Sequence, residues 1–118
     1  MIDVIGVKFL TGERIYYFSP NSLDINELDY VIVETERGVQ YAQAVTKIKK
    51  MKKDSLFLPL KPVIRIATKE DSKTNSKNLS DAGKALQYAL ELVKKENIDM
   101  KIYGAEYTFD RKKLIFKF

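Results

Sequence analysis

The chain contains no cysteine and no histidine. Without cysteine there is no disulfide to staple a small core. Without either residue, zinc and haem sites lose their usual ligands, and Cys-His and Ser-His catalysis lose nucleophile or base. Most hydrolase templates fall with them. Tryptophan is also absent, and only three prolines and five glycines punctuate the chain. No apolar run approaches the ~20 residues that a bilayer-crossing helix needs. The N-terminus has no basic segment followed by an apolar one, as a secretory signal would. The expectation from these absences is an unsecreted, cytoplasmic protein with no metal or other cofactor.

What is present is 118 residues, 45% of them hydrophobic, with a net charge of +5. That is enough for one ordinary domain or two very small units leaning on a shared core. The charge is unevenly placed: residues 1–60 carry eight basic and eight acidic side chains, residues 61–118 thirteen and eight. Inside the neutral half the acids gather at Asp24, Glu27, Asp29, Glu34 and Glu36. The bases gather in Lys47-Ile48-Lys49-Lys50-Met51-Lys52-Lys53, five lysines in seven residues.

Residues 60–71, Leu-Lys-Pro-Val-Ile-Arg-Ile-Ala-Thr-Lys-Glu-Asp, form the joint of the chain. Before them the pattern is β; after them it is mixed. Ile2 to Leu10 and Arg14 to Phe18 flank a short glycine-containing loop and read as a hairpin. Tyr30 to Thr35 and Val39 to Ile48 flank Glu36-Arg37-Gly38, a second hairpin whose glycine is free to take the left-handed backbone. Small Ala42 and Ala44 share one face of its second strand and mark a close approach. Ile15-Tyr16-Tyr17-Phe18 reads as a strand covered on both faces, and Ser55 to Leu60 as a fifth strand. The fold expected for residues 1–60 is a small antiparallel SH3-like β-barrel or a curled sheet.

In residues 61–118, Val63 to Ala67 reads as a strand with Ile64 and Ile66 on one face and Val63, Arg65 and Ala67 on the other. Thr68 with Asp71 resembles a capping box leading into a helix. Leu79, Ala82, Leu86, Ala89, Leu90 and Val93 then recur three or four apart, as one helix face does. Gly83 weakens that helix, and residues 71–78 are polar enough to leave its start undecided between Thr68 and Ser76. Met100 to Phe109 and Lys112 to Phe118 make a hairpin around Asp110-Arg111. Together these give an incomplete ferredoxin-like β-α-β-β unit, for an α+β class overall. Leu114, Phe116 and Phe118 share a face that is expected to drive self-association, since one helix is short of covering such a sheet.

The lysines Lys47, Lys49, Lys50, Lys52 and Lys53 are placed to neutralise phosphates; without arginine or aromatics in the run, they suit better a solvated loop that keeps an edge strand from pairing. Arg65, Lys113 and Lys117, with Tyr103 and Tyr107, would line the open face of a ferredoxin-like sheet as a second nucleic-acid surface. A metal-dependent nuclease built on Asp29, Glu34 and Glu36 is the remaining enzymatic reading, and it requires the strand to continue through the turn.

Gly6-Val7-Lys8-Phe9, Ile15-Tyr16-Tyr17-Phe18-Ser19-Pro20, residues 29–38 with Tyr41, residues 60–71, Asp99-Met100-Lys101 and residues 105–118 together resemble the YaaT/RicT family, whose shared region is also named for a polymerase-suppressor protein. Ser19 and Ala42 depart from it, where the family usually has an acid and a glycine. The resemblance implies a regulatory adaptor acting with YlbF- and YmcA-type protein partners on ribonuclease Y-dependent messenger RNA maturation. It also implies a longer C-terminal part with cysteine motifs associated with an iron–sulfur cluster. None of those cysteines can be carried over to this chain. A non-catalytic protein-interaction module is therefore the leading reading, with direct RNA binding as the alternative.

Overall fold

An eight-residue strand, β1 (Ile2–Phe9), runs through the middle of the N-terminal sheet. Its β-branched residues alternate, so Ile5 and Val7 enter the core with Phe9 packed against it, while Val4 and Gly6 are buried on the opposite face. The computed structural model describes residues 1–9, 12–56 and 60–118. These divide into two units, Met1–Thr68 and Lys69–Phe118.

On one edge β1 pairs antiparallel with β2 (Tyr16–Phe18), and on the other with β4 (Gly38–Ala44). β3 (Tyr30–Thr35) returns against β4 through Glu36-Arg37. Gly38 has φ 127°, a backbone that side chains disfavour. The Thr35 hydroxyl secures the turn, donating to the Gly38 carbonyl at 3.0 Å and accepting the Arg37 N–H at 3.2 Å. β5 (Lys49–Met51) pairs with the first half of β1, and β6 (Val63–Ile66) pairs with β3. The path β2-β1-β4-β3-β6 then curls until its ends meet. Ser19 N–H donates to the Lys61 carbonyl and Val63 N–H to the Ser19 carbonyl, both at 2.9 Å, making a parallel bridge between Ser19 and Pro62. Inside lie Ile5, Val7, Phe18, Ile25, Val31, Val33, Ala42, Ala44 and Val63. Each fully buried Val or Ile contributes about 1.5–3 kcal/mol.

Four expectations change here. The strand at Val63 does not join the C-terminal hairpin in a β-α-β-β sheet; it completes the first sheet, because Val63 has its apolar partners at Val33 and the core. Its strict alternation fails too. Val33 opposes Val63 while Ile32 opposes Arg65, so Ile64 is an extra residue in a bulge, and Val63 and Ile66 both turn inward. β2 is a short edge, with Ile15 and Tyr16 exposed rather than covered on both sides. The middle of the lysine stretch, Lys49–Met51, is a strand rather than a loop, and Lys53–Ser55 is a 3-10 turn. The fifth strand assigned to residues 55–60 falls partly on residues 57–59, outside the described residues.

The second unit consists of α1 (Lys69–Lys95), β7 (Gly104–Tyr107) and β8 (Leu114–Lys117), the two strands pairing antiparallel. The helix begins directly after Thr68. Its polar first turns are helical all the same, with Glu70 and Asp71 at the positive end of the dipole and Lys94 and Lys95 at the negative end. It stops in a Schellman cap: Asn97 takes φ 53°, its N–H donating to the Lys94 carbonyl and the Ile98 N–H to the Val93 carbonyl. β7 packs against α1. The covered stripe of α1 runs through Asn78 and Ala82 to half-buried Ala85, Leu86, Ala89 and Val93. Leu79 and Leu90, expected on that face, are exposed. Periodicity marks a helix as amphipathic but does not say which edge of the apolar stripe a neighbour will take.

Candidate functional site

β5 brings the lysine run onto the sheet. Lys49 sits opposite Val4 and Lys50 opposite Asp3. The Lys50 ammonium lies 3.3 Å from the Asp3 carboxylate, in a pair so exposed that it contributes little to stability. Lys49 reaches across β1, placing its ammonium 5.3 Å from the centre of the Tyr17 ring. Arg14 lies 5.4 Å over Tyr16, whose ring packs against Phe9. Lys47, Lys52 and Lys53 are exposed. The sequence pattern carried no sign that Tyr16 and Tyr17 would stand among these cations, since the pairing that brings them together spans some thirty residues.

Arg65, Lys113 and Lys117 do not share one sheet. Arg65 lies on β6, opposite Ile32 in the first unit, whereas Lys113 and Lys117 belong to the hairpin of the second. The Lys117 ammonium is 3.5 Å from the Glu106 carboxylate on the neighbouring strand. Tyr103 is exposed. Leu114 and Phe116 are half-buried opposite Tyr107 and Ala105, and Phe118 is exposed. Of the acids, Asp29 accepts the Asn26 N–H at 2.9 Å and so serves a turn, while Glu34 and Glu36 are exposed. Among the described residues no three acidic groups gather as a metal would require.

The hairpin tip holds the residues that sequence reasoning missed. Thr108 is buried and its hydroxyl donates to Asp110 at 2.7 Å, while the Lys112 N–H donates to the same carboxylate oxygen at 3.1 Å. With the Thr108 bond first and the Lys112 N–H second, the Asp110 carboxyl is held below its ordinary pKa. Arg111 follows with φ 61°. From that backbone its guanidinium reaches Asn78 Oδ1 at 3.0 Å and Asp81 Oδ2 at 2.8 Å, and lies 4.2 Å over the Tyr107 ring. Asn78, buried in the helix, donates from Nδ2 to the Phe109 carbonyl at 3.2 Å. Helix and hairpin are thereby pinned tip to side. A buried asparagine in a polar helix segment carries no sequence signal of its own.

Residues 61–118 match the family model described as PSP1 C-terminal conserved region. Over all 118 residues the chain is 42% identical to stage 0 sporulation protein YaaT of Bacillus subtilis (strain 168), and it spans 43% of that protein's length. No solved structure matches the chain. With neither cysteine nor histidine, its residues do not supply the ligands of an iron–sulfur cluster.

Proposed function

Because the chain belongs to the YaaT family, we propose that it is a non-catalytic, cytoplasmic protein-interaction module that regulates messenger RNA maturation through ribonuclease Y, engaging protein partners of the YlbF and YmcA type. The observation that carries this reading is the helix of the second unit. Next to its covered Asn78–Ala82 stripe it leaves Leu79 51% and Leu90 36% exposed. Leu86 between them and Val93 beyond them are only half-buried. Leucines lined up at positions 79, 86 and 90 present the spacing by which one helix docks on another. Around them, Gly83 offers a surface with no atom within 4 Å of where a side chain would stand.

The test is titration calorimetry of the chain against YlbF- and YmcA-type proteins, singly and together. Leu79→Glu with Leu90→Glu should abolish binding while the helix stays folded, which circular dichroism checks, since both side chains are at least one-third exposed and their charges can reach water. Binding unaffected by this pair of changes removes the reading. Self-association through Leu114, Phe116 and Phe118 belongs to the same proposal, with exposed Phe118 supporting it. Sedimentation that shows a monomer at every concentration, unaltered by Phe116→Glu, eliminates that part.

Among the described residues no helix is long and apolar enough to cross a membrane.

A further inference from the structure

We propose that β5 and the Tyr16-Tyr17 strand, with cations and rings on both sides of the sheet, bind single-stranded nucleic acid, a property separate from the adaptor reading. Six cations, Lys47, Lys49, Lys50, Lys52, Lys53 and Arg14, stand here against Asp3, Glu13 and Asp54. All nine are exposed. Only Lys49–Met51 is extended, about 10 Å of strand, with Lys47 before it and Lys52 and Lys53 after it, so the cations can accompany a few phosphates.

Charge alone does not choose the ligand, because lysines on an edge strand also serve to prevent pairing with other chains. Among the described strands β5 pairs only with β1, so that role is open to it. Two features go further. First, consecutive Lys49 and Lys50 project to opposite faces, one toward Tyr17 and the other toward Asp3. Cations that surround a strand on both sides suit a flexible polyanion, which can wrap, better than a rigid duplex, which lies on one side. Second, two tyrosine rings stand beside cations, Tyr17 with Lys49 and Tyr16 with Arg14. Edge protection has no use for rings in those positions, whereas single-strand binding combines a backbone-tracking positive surface with aromatic faces on which bases stack.

The experiment is fluorescence anisotropy of the whole chain with a labelled single-stranded oligouridylate of about a dozen nucleotides. Five lysine contacts predict a slope of log K against log salt near about −3.5, or about a 100-fold loss between 50 and 200 mM salt. Replacing Lys49, Lys50, Lys52 and Lys53 by serine should reduce the slope to about −0.7. Tyr17→Ala should weaken binding about tenfold while Tyr17→Phe, which keeps the ring, retains it. Circular dichroism checks that each variant folds, and Tyr16→Ala gives a second aromatic readout if Tyr17→Ala does not. No binding of the wild-type chain at about 50 mM salt overturns the proposal. So does binding that survives the four serine changes. Equal affinity for a duplex of the same length, or for phosphatidylglycerol vesicles, shows a charge surface without preference for single strands and overturns it as well.

Discussion

The Thr46 hydroxyl accepts the backbone N–H of Gly6 at 3.0 Å, joining positions 40 residues apart. Next to it the Val45 N–H donates to the Gly6 carbonyl at 2.8 Å. A side chain thus replaces one backbone acceptor at the point where β4 leaves β1 and β5 takes over. The same closeness explains the glycine: a Cβ at position 6 would lie 2.9 Å from Thr46 Cγ2 and 3.0 Å from Ile15 Cγ2.

Gly6→Ala should therefore destabilise the chain by about 1–3 kcal/mol, as overpacking does. Thr46→Val should cost about as much by leaving a buried N–H without its acceptor. Thr46→Ser keeps the hydroxyl and removes the crowding methyl. In urea melts, the double variant Gly6→Ala, Thr46→Ser should be more stable than the sum of the single changes, and strict additivity would contradict the contact.

Arg111→Ala should loosen the hairpin from the helix, costing about 1–3 kcal/mol as Asn78 loses its donor and Tyr107 its cation. Arg111→Lys should recover little, because one ammonium does not reproduce a planar group serving Asn78, Asp81 and a ring together. A double-mutant cycle of Arg111→Ala with Asn78→Ala should give a coupling energy of at least about 0.5 kcal/mol. Zero coupling would mean that the two groups do not act on each other.

Asp110 fixes the sign of the acid response. Its folded pKa lies below the ordinary carboxylate value of 3.8. A depressed carboxyl contributes stability that is fully present above the unfolded pKa and is lost as pH falls through the folded one. Asp110→Asn should flatten the stability profile below about pH 4. Thr108→Val removes the largest cause and should raise the Asp110 pKa toward its ordinary value in a carbon-detected NMR titration. An unchanged titration would assign the shift elsewhere.

Gly83 lies within α1 and is exposed, with nothing within 4 Å of the place a methyl group would take. Gly83→Ala should raise stability by about 0.5–1 kcal/mol, through helix propensity and a less free unfolded chain. A higher denaturation midpoint at constant urea slope is the expected result.

The two hairpins of the first unit and the long helix of the second were legible from local pattern. Val31 and Val33 alternate with Tyr30 and Ile32, Gly38 follows a charged turn, and Ala82, Leu86, Ala89 and Val93 repeat at helical spacing. Such signals depend only on neighbours in the chain, so they survive without knowledge of the fold. The lysine run was visible as charge, but its becoming β5 depended on β1 having an edge still unpaired at Ile2, Asp3 and Val4.

Long-range pairing decided the rest. A strand bears donors and acceptors on both edges and does not encode which partner will take them, so Val63 joined β3 rather than the C-terminal hairpin. One extra residue at Ile64 then reversed the face that alternation assigned to Ile66. The nearness of Lys49 to Tyr17 and of Arg111 to Asn78 arose in the same way. Residue types and local periods fix elements, because they act over a few bonds; sites assembled from separate strands wait for the core to close, because only burial sets their register.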